Sequence, residues 1–356
     1  MSAENKNKRK VSSLLSISHD KDVDGLAAAA IVRRYALLKG LDHNVILTDY
    51  GSFQEAFSSV SVRHNTLIII TDLGMDEPNL DFIVSSLQRA ISQGCRLVWL
   101  DHHQWSKKSI TSIQSLGNKP VLKVNHDHCA AEIAHKVLMA KDEISEKLAE
   151  IAHDTDFNLR EIDAASALTD AISVLRFNAM DRKEDLTEVI KPLVVKLASE
   201  GIEGIWDDSN KRFKDTQLDE KVRYYRKEKS KKMRKALKAH CDEKIHDRLV
   251  RIVELPHGVT TTDLGTFLSD ESNLKLDKET TLPIADLVIT LSQGGMLGFR
   301  RGKDSVLCNI IAKKFNGGGH PYAAGGEYGS YEDFDAVCSD IFLTLTKSND
   351  WIVSTE

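Results

Sequence analysis

Four apolar runs in this chain end at acidic residues, and any fold must account for that coincidence first. Residues 97–100 stop at Asp101-His102-His103. Residues 11–18 lead into Asp20, Asp22 and Asp24, residues 66–71 into Asp72, and the helical stretch 144–152 into Asp154 and Asp156. The short runs alternate with longer stretches of helical periodicity, the pattern of a parallel sheet with helices on both faces. In such sheets ligands collect at the carboxyl ends of the strands. The acids and histidines are therefore expected to share one plane of loops.

Strands are expected over 11–18, 44–48, 66–71, 96–100 and 121–124, and helices over 26–39, 79–93, 129–139, 144–152, 164–178 and 186–198. Residues 20–25 read as a turn. From 206 to 245 the chain turns polar and Lys-rich, with Phe213, Leu218, Val222, Tyr225, Met233, Leu237, Cys241 and Ile245 recurring mostly every three to five residues. That spacing predicts an amphipathic helical connector. Beyond it, strands over 249–255, 284–291 and 296–300, a turn at 292–295, helices over 305–314 and 334–345, and a glycine-rich segment make a smaller α/β domain. The expected plan is a disordered leader over 1–10, a first domain over 11–205, a basic helical connector over 206–247 and a second domain over 248–350.

No stretch approaches the roughly 20 apolar residues of a membrane span, and the polar, basic first ten residues lack the apolar core of a secretory signal. Five scattered cysteines form no C-x-x-C pair, which argues against a zinc ribbon or disulfide framework and fits a reducing cytoplasm. The net charge of −5 hides an asymmetry. Residues 211–248 carry 15 Lys/Arg against 7 Asp/Glu, a local +8, leaving −13 elsewhere. A divalent cation would neutralise part of the acidic excess, and the basic segment suits a polyanion.

Carboxylates with imidazole suit hard to borderline ions such as Mn²⁺ or Mg²⁺ better than Zn²⁺. A pair of such ions needs a bridging carboxylate. Asp72, alone at the end of a central strand, is the natural bridge; Asp22 and Asp24, two apart on a tight turn, could serve one ion each. His103 could contact a phosphoryl oxygen or protonate the leaving group. A single acid after a strand is often only a cap or turn residue, the bland reading for Asp20 and Asp156. Arg300, at a strand end, could hold a phosphate or stack on a base.

Asp101-His102-His103 resembles the signature of the DHH phosphoesterase superfamily. Asp20-x-Asp22-x-Asp24-Gly25 is similar to the family's first motif as found in RecJ-like exonucleases, Asp72 to the second, and His153-Asp154-Thr155 to the fourth. Gly317-Gly318-Gly319-His320-Pro321 and the Ala-Ala-Gly that follows resemble the glycine motif of the DHH-associated C-terminal domain. The resemblance spans about residue 12 to about 346. It implies a parallel-sheet catalytic domain joined by the connector to a smaller substrate-binding domain, with the active site in a cleft between them and two Mn²⁺ ions, Mg²⁺ being the alternative. By motif, Asp22, Asp24, Asp72, His102 and Asp154 are implied as metal ligands, and His103 as the residue that contacts the phosphate. Where many members carry a histidine four residues before the Asp-x-Asp pair, this chain has Ser18. Asp20 is favoured over His19 for the remaining ligand position. Asp101 is expected to orient the metal-binding imidazole, and Arg300, Gly317, Gly318, Gly319 and His320 to grip the substrate end.

The function expected is a cytoplasmic, metal-dependent phosphodiesterase or exonuclease that degrades single-stranded or short oligonucleotides to nucleoside monophosphates. The alternative is a small-molecule phosphoesterase acting on cyclic or linear dinucleotides or nucleotide bisphosphates. Less favoured is a non-catalytic partner protein. The expected partners are single-stranded nucleic acid or short oligonucleotides, with a homodimer or a replication or repair protein as further options.

Overall fold

The computed structural model describes residues 11–50, 52–302 and 306–353, so the leader expected over 1–10 lies outside the described residues. The chain divides into two compact units, Met1–Arg223 and Tyr224–Glu356. The first is built on β1 (Ser13–His19), α1 (Val23–Lys39), β2 (Asp42–Thr48), α2 (Phe53–Ser61), β3 (Thr66–Thr71), α3 (Leu80–Ser92), β4 (Arg96–Asp101), α4 (Lys107–Gln114) and β5 (Val121–Val124). The helices α5 (Ala130–Leu138), α6 (Glu143–Asp156), α7 (Asp163–Arg182) and α8 (Leu186–Glu200) follow, then a small hairpin of β6 (Trp206–Asp207) and β7 (Arg212–Phe213).

β1 to β5 form one parallel sheet in the order β2-β1-β3-β4-β5. Alternate residues of a strand face opposite sides, and the core follows that rule. Leu15, Ile17, Ile68, Ile70 and Trp99 pack with Phe53, Phe57 and Leu87 of α2 and α3, while Leu14 and Ile69 pack with Val32 and Ala36 of α1. The order reverses between β1 and β3, the switch point where the loops diverge and leave a crevice at the strand ends. α1 begins earlier than its apolar pattern suggests. Asp22 caps it by accepting from the Gly25 amide at 3.0 Å, which draws Asp24 out of the turn and into the first helical turn. Gly40, at φ 64°, ends the helix in the left-handed conformation.

The helical connector is only partly found. α9 (Thr216–Leu237) buries Val222, Tyr225, Met233 and Leu237 on one face. Residues 206–213 form the hairpin instead, and β8 (His240–Ile245) belongs to the second sheet. Cys241 and Ile245 fit a helical spacing of four and a strand period of two equally well. The deciding signal is His246-Asp247, both at positive φ (47° and 63°), as a two-residue hairpin turn requires.

The second unit adds β9 (Arg248–Glu254), α10 (Thr261–Ser269), β10 (Leu287–Leu291), β11 (Met296–Arg301), α11 (Cys308–Lys313), β12 (Gly318–Gly319), β13 (Ala323–Glu327) and α12 (Phe334–Thr346). Its mixed sheet has the order β12-β13-β11-β10-β9-β8. One face buries Ile252, Ile289, Phe299, Ile341 and Trp351, the other Val253, Leu264, Phe267 and Val288. The glycine-rich segment is thus an edge strand. A Cβ on Gly317 would lie 1.9 Å from the Gly325 carbonyl oxygen, so this glycine is demanded by packing against the chain's own backbone.

Candidate metal centre

The acids and histidines of the first unit meet at the carboxyl ends of β1, β3 and β4. His19 is the last residue of β1, Asp72 follows β3, and Asp101 ends β4 ahead of His102 and His103. Asp72 has φ 55°, a left-handed conformation uncommon outside glycine. Among the described residues, three groups have donor atoms within 4.8 Å of one another: His19, Asp22 and Asp72; Asp24, His102 and Asp156; and Asp72, His102 and His103.

Asp72 links these groups. Its Oδ1 lies 3.2 Å from His102 Nε2, and its Oδ2 lies 3.6 Å from His19 Nδ1. Oδ2 is buried and has no hydrogen-bond partner among the described residues. A buried carboxylate oxygen left unsatisfied is costly. Its position between two imidazole clusters suits a cation bound by both, so the donor set fits a hard or borderline divalent ion.

Asp24 is held from behind. Both its oxygens accept backbone amides at the start of α5, from Ala131 and Ala130, each at 2.7 Å, with Oδ2 3.8 Å from His102 Nε2. Asp156 Oδ2 lies 3.5 Å from His102 Nδ1. Burial, reinforced by the charges of Asp72 and Asp156, lifts the Asp24 carboxyl well above the usual range. Burial likewise pushes Asp156 up to about 6. Burial opposes a charged His102, but the bond to Asp72 and the charges of Asp156, Asp72 and Asp24 outweigh it and raise it to about 10. His19 is raised in the same way by Asp22, Asp49 and Asp72 against the effect of burial. The surrounding carboxylates thus bias both imidazoles toward their charged forms.

Asp101 differs from Asp72. Its Oδ1 accepts from His103 Nδ1 at 2.8 Å, and its Oδ2 from Trp105 Nε1 at 2.7 Å and from the His103 amide at 3.2 Å. It is fully buried. Burial would raise it, yet these bonds hold it below the ordinary carboxylate range. Asp101 therefore orients His103, not His102 as expected from the sequence.

Two expected ligands lie outside the three groups. The Asp20 amide donates to the Thr48 carbonyl, continuing the pairing of β1, so His19 and Asp20 point to opposite sides and His19 is the one in the group. Asp154 accepts from the Glu161 and Ile162 amides at 2.8 and 3.2 Å. Positions two apart on a helix do not share a face, and at the end of α6 it is Asp156 that faces His102.

Asp49 and Tyr50, which follow β2, are not among the residues expected from the sequence. Asp49 Oδ1 lies 3.2 Å from His19 Nε2, and the Tyr50 hydroxyl accepts from the Gly74 amide at 2.9 Å. The strand-end rule that picked out Asp72 applied equally to Asp49. In the second unit, Arg300 lies on β11 opposite Ala323 of β13. Gly318 and Gly319 form β12, and the His320 and Tyr322 rings stack at 5.2 Å with 4° between planes.

Residues 15–155 match the model of the DHH family, N-terminal domain. No curated protein sequence matches the chain. Among solved structures, the chain is similar to RecJ in complex with Mn²⁺ from Thermus thermophilus (16% identity, TM-score 0.56), with 97% of this chain and 53% of that one covered. It is similar to PggH, a pGpG-specific phosphodiesterase from Vibrio cholerae (13%, TM-score 0.51), covering 95% and 100%. A third is an exopolyphosphatase-related protein from Bacteroides fragilis (15%, TM-score 0.50), covering 96% and 94%. At these identities the likeness is one of fold: a parallel five-stranded sheet with helices followed by a second, mixed-sheet unit. The family match covers the segment that carries Asp22, Asp24, Asp72, Asp101, His102 and His103, so residues 15–155 form a DHH-family N-terminal domain.

Proposed function

We propose that the protein is a divalent-metal-dependent phosphodiesterase that hydrolyses single-stranded or short oligonucleotides to nucleoside monophosphates. The observation that carries this reading is Asp72, a buried carboxylate with each oxygen toward a different histidine and one oxygen unsatisfied. His19, Asp22 and Asp72 would hold one ion, and Asp72, Asp24, His102 and Asp156 the other. Two divalent ions, Mn²⁺ or Mg²⁺, supply an activated water and neutralise charge on the phosphoryl group. His103 is shifted toward its charged form, above the ordinary imidazole range. Burial opposes that charge, but the bond to Asp101 overrides it. With Nδ1 committed to Asp101, Nε2 is left to donate to the phosphoryl or leaving-group oxygen. Arg300, Gly318 and His320 are proposed to grip the substrate end, and the exposed Lys and Arg of α9 to guide a single strand.

The test is incubation with Mn²⁺ and end-labelled RNA and DNA of graded length, from dinucleotides upward, with Asp72→Asn as the inactive control. Stepwise shortening is expected, and intact substrates at every length would reject the reading. Cleavage confined to dinucleotides would favour the small-molecule alternative. That outcome is the one to watch, since this chain and the pGpG-specific phosphodiesterase align over nearly their whole lengths.

A further inference from the structure

Tyr50 stands beside the metal centre, and none of the roles assigned so far uses it. It follows β2, and its ring meets two of the centre's histidines edge-on. The centroid distances are 6.1 Å to His19 and 6.2 Å to His103. On the other side the ring packs at 5.3 Å against Phe53, which is fully buried. The ring position is therefore fixed by the core and not by solvent. The hydroxyl is fixed too, because it accepts from the amide of Gly74, two residues past Asp72. A Cβ on Gly74 would lie 3.0 Å from that hydroxyl and 2.9 Å from His103 Cβ, so the glycine is what lets Tyr50 and His103 approach one another.

Two further facts give the hydroxyl a task. Its one hydrogen bond among the described residues uses it as an acceptor, so its own proton is uncommitted. The residue is 42% exposed, so something outside the protein can reach it. A phenol is protonated throughout the neutral range, which makes Tyr50 an uncharged donor at the rim of a strongly acidic site. Resting on the phosphodiesterase reading, we propose that Tyr50 is a substrate-contacting residue whose hydroxyl donates a hydrogen bond to a non-bridging oxygen of the scissile phosphoryl group. Charge is spread over those oxygens as a phosphoryl group transfers. A donor anchored by Phe53 and Gly74 needs no reorganisation to meet it. No proton is transferred in this role.

Tyr50→Phe removes the hydroxyl and keeps the ring against Phe53. With a 5′-phosphorylated RNA dinucleotide and Mn²⁺, kcat should fall about 100-fold, the lower end of what losing one such donor costs. Mn²⁺ affinity by calorimetry should stay within about twofold, because Tyr50 is not proposed to touch the ions; a single hydrogen bond is worth roughly a factor of five. The same calorimetry, with inorganic phosphate titrated into Mn²⁺-loaded protein, should show about fivefold weaker binding in the variant. This arm tests the donor even if no oligonucleotide is cleaved, so a failure of the phosphodiesterase reading stays distinct from a failure of this one. Unchanged kcat together with unchanged phosphate affinity would overturn the proposal. So would a loss of Mn²⁺ affinity in step with activity, which would make Tyr50 a support for His19. Tyr50→Leu, which loses the ring as well, should lower the melting temperature where Tyr50→Phe does not.

Discussion

Asp72 and Asp101 end neighbouring strands of one sheet, both are buried, and they are in opposite states. Asp101 receives His103, Trp105 and a backbone amide, and no lone oxygen is left over. Asp72 keeps an unsatisfied oxygen between two imidazole groups. Strand-end position alone therefore does not identify a metal ligand. What separates these two is the surroundings of each carboxylate: Asp101 has both oxygens taken up by donors of its own loop, whereas Asp72 sits between His19 and His102 with Oδ2 unsatisfied.

The largest expected effect tests that contrast directly. Asp72→Asn should lower Mn²⁺ affinity by about 100-fold, at the upper end of what a mutated shell residue costs, and abolish detectable hydrolysis. Asp101→Asn should instead keep Mn²⁺ affinity and destabilise the chelated protein. Its amide would set N–H groups against Trp105 or His103, costing roughly 1–3 kcal/mol. If Asp101→Asn weakens Mn²⁺ binding as much as Asp72→Asn does, the contrast fails. Next in size comes the pair of adjacent histidines. His103→Ala should keep both ions and lose rate by about 100-fold or more, as expected for a missing general acid. His102→Ala should instead weaken metal binding in calorimetry. Equal loss of metal in both would refute the division of roles.

The sheet was legible from the sequence because its strands are short, apolar and bounded, and because the reversal at β1 and β3 gathers their ends. The site was legible where the acid immediately follows a strand, as with Asp72 and Asp101. It was illegible where a choice between close neighbours had to be made. His19 against Asp20 turns on whether β-pairing continues one residue further, which the Asp20–Thr48 backbone bond decides. Asp154 against Asp156 turns on the rotation of α6. The role of Asp101 depends on Trp105, whose indole nitrogen gives no sequence signal. In the second unit, Gly317 of the glycine motif is required by its close approach to the Gly325 carbonyl oxygen, a packing need that its sequence pattern does not reveal. Asp154 and Asp156 supply the next test. Asp156→Asn should reduce Mn²⁺ affinity about tenfold. Asp154→Asn should leave it intact and lower the melting temperature through the loop amides of Glu161 and Ile162.

The smallest effect is one of pH, seen only when metal is withheld. His102 is raised to about 10 in the folded protein from an unfolded value near ~6.5. Its stabilisation is therefore complete below ~6.5 and is lost as pH rises through 10. Asp156, raised to about 6 from ~3.9, is stabilising while protonated, and that contribution is lost as pH rises through 6. Both effects have the same sign, so the chelated protein should melt at a lower temperature at pH 9 than at pH 6. With Mn²⁺ bound, cations take the place of those protons and the decline should vanish, while Mn²⁺ affinity climbs with pH because binding releases protons. In Asp72→Asn, which removes the nearest carboxylate from His102, the decline in the chelated protein should flatten. A chelated wild type that melts no lower at pH 9 than at pH 6 would mean that His102 is not held charged by Asp72, Asp24 and Asp156. The separation of Asp72 from Asp101 would then rest on metal affinity alone.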